Sequence, residues 1–593
     1  MSNPSHGHGP SGHGSSGHSH GSPGHPPETG AQKVLAWLES RTGYSGIIKM
    51  LIDEPVPGGA RWWYVFGSVL TFILTLQLLT GILLASFYSP SSTTAWASVA
   101  FIQDQMTMGW FIRGLHSMGA SAMVVLTCIH LAQVLIFGAY KAPREMNWIV
   151  GVLMMGMVLA FALTGYLLPW DQKGYWATQV ATSIIGTSPV IGPALKTLLQ
   201  GGSLYGNYTL THFYTLHTYV LPGAIIGLLL FHLYLFRRHG VTPRWNLSRE
   251  TLAKKTEPFW PDQLFRDVVA CAAVFIVIVF LVVRSHGAEL ESPADPSSSY
   301  VARPEWYFLP LFQLLKYFEG PLEVIGTMVL PGIAGALLVG LPFIDRSPTR
   351  DPAKRWPVIL GGAVGFSLVI MLGLLATRRD RNDPTFLKQR VEALEKSETA
   401  RKLALQGVPA QGGVAVFQND PFFHAREIWA ERCVGCHSLV GTGGDKGPDF
   451  ADYNSRAWIS GFLTDPGGKL YMGPAQIEKG MKPVEGTPEE IKALTEFVYS
   501  QSGAPDVDAA LAQQGQAAFA AKDCDACHEI DGTGTNAGPN LKGRGSLPYV
   551  INVITDASQP TLFNVKNKMP KFAGRLSPQE IETMAKFVLS QKK

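Results

Sequence analysis

Seven apolar runs limit what this chain can fold into. They are Trp62 to Phe87, Leu115 to Ala139, Trp148 to Leu168, Phe213 to Phe236, Val268 to Val283, Leu322 to Phe343 and Pro357 to Ala376. Most reach the roughly 17 to 25 residues that cross a bilayer as one helix. The Val268 run is shorter and spans only with its flanks. Inside lipid a backbone must satisfy its own hydrogen bonds, so each run is read as a helix. The expectation is an all-α protein with a bundle of about seven transmembrane helices.

Two of the runs carry histidines. "IRGLHSMGASAMVVLTCIHL" holds His116 and His130, fourteen apart, and "FYTLHTYVLPGAIIGLLLFHLYLF" holds His217 and His232, fifteen apart. Either spacing is about four turns and roughly 21 to 22 Å of helix, so each helix offers two imidazoles on nearly one face at two depths. A polar side chain in lipid is costly and marks function, and neutral imidazole is a common metal ligand. One such histidine can merely hydrogen-bond across a bundle. Two matched pairs point to two stacked bis-histidine haems.

The chain has 593 residues and a net charge of +4, which suggests about four units and gives no reason to expect nucleic acid as a partner. No cleavable signal peptide is visible, since the first apolar run is long enough to stay in the membrane. The opening "MSNPSHGHGPSGHGSSGHSHGSPGHPPETG" lacks apolar content, so residues 1–45 are expected to be a disordered His/Gly/Ser-rich tail. Its six histidines either bind metal loosely or are incidental to a solvated tail. Basic residues cluster on alternate connections: Lys141 and Arg144, then Arg237 to Lys255, then Arg346 to Arg355. Those loops should be cytoplasmic, which puts the N-terminus inside and everything after Ala376 outside. Arg378, Arg379 and Arg381 run against the rule.

Four of the six cysteines lie in "CVGCH" (Cys433, Cys436, His437) and "CDACH" (Cys524, Cys527, His528). In such a pentapeptide two thiols bond to the porphyrin and the histidine ligates iron. A single copy can also mark a redox pair. Here each copy is followed by the same pattern: "KGPDF" then "EKGMKPVEGTPEEIKALTEFVYSQ", and "AGPNLKGRG" then "KNKMPKFAGRLSPQEIETMAKFVLSQ". The repeat looks like two small class I cytochrome c domains, 415–503 and 508–593, each with a haem c. Thioether sulfur is a soft iron ligand, so Met481 and Met569 are the expected distal ligands. Met472 competes with Met481, which is favoured because it precedes a Pro and a closing helix as Met569 does. Cys128 and Cys271 lie in membrane helices as inert small side chains.

From Arg61 to Ala376 the chain resembles cytochrome b of the quinol:cytochrome c reductases. The resemblance is carried by "GWFIRGLHSMGAS", "KAPREMNWIVGV", "LTGYLLPWDQKGYWATQV", "TLTHFYTLHTYVLP" and "RPEWYFLP". The fifteen-residue histidine spacing and the three-helix second part resemble the short cytochrome b and subunit IV of photosynthetic complexes, joined in one chain. The resemblance implies a haem-binding four-helix domain over 46–255, a subunit IV-like domain over 256–380 and a linker over 381–414. It also implies that His116 and His217 hold an outer haem b and His130 and His232 an inner one. Glu305 of "PEWY" would take a proton from quinol, with Tyr307 beside it and Tyr166 on the opposite wall. Arg113 would belong to the cofactor-binding set. Gly67 and Gly81, and Gly151 and Gly165, are each fourteen apart. They would either let flat macrocycles approach the backbone or serve close helix packing. His212 stands where the family usually has Arg, and Val65 where the photosynthetic type has a haem-binding Cys, so no third membrane haem is expected. Arg266 and Asp267 are weakly marked candidates for an inner quinone site, and an interfacial charge pair reads equally well.

These features imply a quinol:cytochrome c oxidoreductase subunit of a bacterial cytoplasmic membrane, with two haem b, two haem c and a Q cycle. No Cys and His set is left for an iron–sulfur cluster, so a separate Rieske protein is implied. A cytochrome c or terminal oxidase would be the acceptor, and a homodimer is expected. The rivals are a non-bifurcating quinol dehydrogenase and a membrane-anchored electron carrier or sensor. Glu305 in its motif argues against the carrier, and the second His pair against a simple anchor.

Overall fold

The computed structural model describes residues 29–471, 481–532, 538–562 and 569–592. Among these, seven helices are long and apolar enough to cross a membrane: Phe66–Ala85, Gly109–Phe137, Glu145–Tyr166, Asn207–His239, Phe259–Ser285, Ile325–Ile344 and Pro352–Arg381. They are called the first to seventh spans. The fold is all-α, relieved among the described residues only by two antiparallel pairs of two-residue strands. As expected, the Val268 run is completed by its flanks, and the fifth span has 27 residues.

The first, second and fifth spans share a core of Val65, Val69, Ile73, Leu115, Ile278 and Val282. The end of the bundle opposite Glu305 is tied by charge. Asp345 accepts from Lys141 Nζ at 2.7 Å and from the Tyr140 hydroxyl, and the buried Arg355 guanidinium donates to Tyr140 Oη at 2.9 Å and to Ile136 O at 2.8 Å. A buried charge persists only when paired and hydrogen-bonded, so this network joins the second, sixth and seventh spans.

The fourth span contains a widened turn at Leu216–Val220, closed by a bond from Leu221 N–H to Leu216 O. Pro222 follows and has no N–H to continue the regular ladder. A widened turn absorbs one extra residue. The fifteen-residue step from His217 to His232 therefore presents the two rings as a fourteen-residue step would in a regular helix.

Two segments differ from expectation. Within the 1–45 tail, Gly30–Thr42 is a helix, because Thr29 and Gln32 close a reciprocal capping box. Its Val34, Leu35 and Trp37 stay exposed. Within the 381–414 linker, Pro384–Ala404 is a helix capped by Asp383. Its Ala400, Leu403 and Ala404 pack against Trp96, Val99 and Ala100 of the helix Ala95–Asp104, and Arg401 pairs with Asp104. The linker is thus a docked strut.

After it come the two CxxCH repeats. Helices Phe423–Ile428, Arg456–Thr464 and Pro488–Ser500 belong to the first, and Ala509–Ala521, Leu547–Asp556 and Pro578–Leu589 to the second. Their cores mix the repeats: Ala425 and Trp429 pack with Met584 and Phe587, while Leu494 and Phe497 pack with Phe519 and Leu541.

Candidate functional site

Near one end of the bundle His116 and His217 face each other with ring centroids 6.3 Å apart. Two imidazoles take about that separation when both coordinate one metal at about 2 Å. Their tautomers follow from the hydrogen bonds. Thr80 Oγ1 donates to Leu76 O at 2.7 Å and so accepts from His116 Nδ1 at 3.0 Å. Thr164 Oγ1 donates to Ala160 O at 2.8 Å and accepts from His217 Nδ1 at 3.1 Å. Both Nε2 atoms are left unprotonated and free to ligate, since the bond at one ring nitrogen sets the state of the other.

Glycines make room for the rings. A Cβ on Gly165 would lie 2.5 Å from His217 Cε1, one on Gly81 3.3 Å from His116 Cε1, and one on Gly151 3.5 Å from His232 Cε1. Gly67 meets nothing within 4 Å. At the deeper pair, the Nδ1 atoms of His130 and His232 are buried without a hydrogen-bond partner. Buried polar atoms without partners demand an explanation. Imidazoles at two depths with glycine at ring contact fit two bis-histidine haems. Arg113, expected in the cofactor set, is committed to protein groups: Gln103 Oε1 at 2.7 Å, Ala288 O at 2.9 Å and Glu289 O at 2.6 Å.

The "PEWY" loop and the "WDQKGYW" segment meet through charge. Lys173 Nζ lies 2.8 Å from Glu305 Oε1 and 3.5 Å from Glu289 Oε2, and its ammonium sits 5.8 Å from the Tyr166 ring centre. Lys173 takes its place because Asp171 caps the helix Gln172–Gly186, accepting from Gly174 N–H at 2.8 Å and from Glu291 N–H at 3.1 Å. Burial pulls the Lys173 ammonium down, but Glu305 and Glu289 outweigh it and hold the group firmly charged. Arg303 anchors the loop to Asp380 at 3.0 Å, and Tyr166 Oη lies 3.5 Å from Arg303 O. Tyr307 is half-buried between Trp306 and Phe308, its hydroxyl pushed up by burial and by Glu305.

Behind this wall stands a second carboxyl. Glu291 is pushed up to about 7 by burial and by the neighbouring Asp171. Tyr300 Oη donates to its Oε1 at 3.1 Å, and its Oε2 is buried without a partner. Sequence reading did not single out Lys173, Glu291, Thr80 or Thr164. The twin Thr-Gly dipeptides at 80–81 and 164–165 were the available signal for the threonines. At the opposite end a cavity of about 460 Å³ is lined by Ser68, Phe72, Asp267, Cys271 and Phe275 among others. Asp267 there accepts from Ser68 Oγ at 2.7 Å and Gln263 Nε2 at 2.8 Å. Arg266 is spent on Asp262 O at 2.7 Å.

In the repeats, His437 Nδ1 bonds Pro448 O at 3.1 Å and His528 Nδ1 bonds Pro539 O at 2.8 Å. Carbonyl acceptors require N–H at Nδ1, so each Nε2 is again free. Gly447 and Gly538 press on these rings, where a Cβ would come within 2.4 Å and 2.6 Å of Cε1. The Gly-Pro pairs thus fix the proximal histidines. Cys433, Cys436, Cys524 and Cys527 form no disulfide. Met481 packs against the core formed by Trp458, Leu494, Phe497 and Phe519, Met569 is half-buried, and Met472 lies outside the described residues.

Comparison with known proteins agrees with this architecture. Residues 51–240 match the family Cytochrome b/b6/petB and residues 293–394 the family Cytochrome b(C-terminal)/b6/petD. Residues 424–502 match Cytochrome c, and 510–588 match Cytochrome C oxidase, cbb3-type, subunit III. The chain is 36% identical to a cytochrome b of Cereibacter sphaeroides over 355 residues, covering 56% of this chain and 79% of the relative. It is 34% identical to the cytochrome bc complex cytochrome b subunit of Chlorobaculum thiosulfatiphilum, covering 55% and 76%. A solved chain titled hyperthermophilic respiratory Complex III superposes with a TM-score of 0.51 at 25% identity, covering 64% of this chain and 99% of that one. The chain therefore belongs to the cytochrome b family, as a multi-pass electron-transfer protein of the bc type that carries cytochrome c domains at its C-terminus.

Proposed function

We propose that the chain is the core of a quinol:cytochrome c oxidoreductase that oxidises quinol beside Glu305 and runs a proton-motive Q cycle. The observation that carries this reading is the Lys173 to Glu305 pair at 2.8 Å, which joins the two motif walls and presents a carboxylate at their mouth. Quinol oxidation releases two electrons and two protons. A carboxylate at that place can accept one proton, provided quinol or solvent then takes over the ammonium of Lys173. His116 with His217 and His130 with His232 would hold two haems, which would supply one-electron carriage across the bilayer. Moving an electron between those depths against the field costs about 2.3 kcal/mol per charge per 100 mV. The cavity beside Asp267 and Ser68 supports quinone reduction at the far end. The other electron would pass through a separate Rieske protein to haems at His437 and His528.

In this reading the face bearing Glu305 and the c repeats is periplasmic, the basic loops and the N-terminus are cytoplasmic, and the membrane is the bacterial inner one. A homodimer is expected, and a cytochrome c or terminal oxidase is the final acceptor. Glu305→Gln should slow quinol-dependent cytochrome c reduction by about 10² to 10⁴, with all haems bound and reducible by dithionite. Undiminished quinol oxidation by that variant across pH 5 to 9 would refute the assignment.

A further inference from the structure

We propose that the two c-type repeats exchange their closing halves, so that the haem at Cys433, Cys436 and His437 takes Met569 as its distal ligand and the haem at Cys524, Cys527 and His528 takes Met481. The inference rests on the reading that both CxxCH motifs carry haem c. It reverses the expectation that each methionine serves the motif of its own repeat.

The argument begins with equivalent positions. "FVYSQ" at 497–501 matches "FVLSQ" at 587–591, and Ala425 and Trp429 before the first motif correspond to Gly515 and Phe519 before the second. Each Cys-bearing helix packs against the closing helix of the other repeat. Trp429 lies 6.2 Å from Phe587 between ring centroids, and Phe422 lies 5.9 Å from it. Phe519 lies 5.2 Å from Phe497. Gly515 is pressed so closely that a Cβ would fall 1.9 Å from Ala493 O. The same partition runs through the rest of the core. Phe450 and Tyr453 of the first repeat pack with Val550, Ala585 and Val588 of the second, and Asp452 N–H donates to Gln591 O at 3.1 Å.

The two repeats cross where Asn454 meets Gly545. Asn454 has φ +60°, and a Cβ on Gly545, itself at φ +80°, would lie 1.9 Å from the Asn454 side chain. Before this crossing each repeat contributes its CxxCH half, and after it the half that contains the methionine. Met481 accordingly packs in the cluster that includes Phe519, Leu541 and Cys524. Its loop is tied there by Lys522 Nζ, which donates to Glu485 O at 2.7 Å two residues before Cys524. Met569 enters the stretch that continues through Phe572, whose N–H bonds Thr555 O at 3.2 Å, to Met584, which packs with Trp429 and Cys433. The connection between Pro488–Ser500 and Ala509–Ala521 is short, and short connections make antiparallel helical neighbours. Two homologous units in one chain exchange elements at low cost because each is at high effective concentration for the other.

The test uses the full chain with Cys524→Ala and Cys527→Ala, which leaves covalent haem only at the first motif. Met569→His or Met481→His is then added. The readouts are the long-wavelength sulfur-to-ferric-iron charge-transfer band and the midpoint potential of the remaining c haem. Met569→His should abolish the band and lower the potential, and Met481→His should leave both unchanged. Loss of the band on Met481→His, or its survival in both variants, overturns the proposal. If the cysteine variants fail to fold, a cryo-EM map of the haem-loaded wild type decides, by which methionine sulfur lies on the iron above His437. A pyridine haemochrome of the wild-type chain, run first, tells failure of the haem reading from failure of the exchange.

Discussion

At the scale of single residues, the histidine pairs depend on neighbours that ligate nothing. A Cβ on Gly165 would come closer to the His217 ring than one on Gly81 would to the His116 ring. Gly165→Ala should therefore displace its ring and cost the chain much of one haem b, and Gly81→Ala should cost less; the haem b to haem c ratio by pyridine haemochrome reads both. Thr164→Val would remove the hydroxyl that accepts from the buried Nδ1–H of His217. An unsatisfied buried donor costs about 1 to 3 kcal/mol, and lost orienting partners typically weaken metal sites about 10- to 100-fold, so easier haem loss on dilution into apomyoglobin is expected. Glu291 carries a pH consequence. Its folded value, about 7, is raised from 4.5, so the folded state holds the extra proton. Stability is fully present below about 4.5 and is lost as pH rises through 7. Thermal unfolding should show that decline between pH 5 and 8, and Glu291→Gln should flatten it.

At the scale of elements, the strut Pro384–Ala404 decides where the c repeats stand relative to the Glu305 loop. Ala400 is fully buried against the helix Ala95–Asp104, where a larger side chain has no space. Overpacking of this kind costs about 1 to 3 kcal/mol. Ala400→Phe should free the strut and expose residues 405–412 to limited proteolysis, while leaving the four intramembrane histidines untouched. The widened turn at His217 belongs to this scale as well. The sequence displayed a spacing of fifteen against fourteen. Only the backbone bond from Leu221 to Leu216 shows where the extra residue is absorbed.

At the scale of the whole molecule, the crossed cores of the c repeats make the tail one cooperative body. Truncation after Ser502 would remove Phe587 and Met584 from Trp429, leaving the first CxxCH half without its covering helix. Such a chain should yield a protease-sensitive first motif with no methionine-ligated spectrum, whereas an independent first domain would stay protease-resistant and keep that spectrum.

Much of this was legible in the chain because it rests on local rules. Apolar length specified the spans, the requirement for internal hydrogen bonds made them helices, and the covalent pentapeptides named their own ligands. The spacing of His116, His130, His217 and His232 pointed to two depths before any packing was known. What the sequence withheld depends on groups far apart along the chain. Lys173 reaches Glu305 across 132 residues, a meeting that hangs on the Asp171 cap and on the Glu291 N–H that bonds Asp171. The helical strut reads as a linker because its apolar residues, Ala400 and Leu403 among them, are few and its partner surface lies some three hundred residues away. The partition of the c repeats is invisible for a sharper reason. Two homologous halves offer each Cys-bearing helix two nearly equivalent closing helices, so local pattern is satisfied either way. The crossing at Asn454 and Gly545, together with the short connection between Ser500 and Ala509, decides between them.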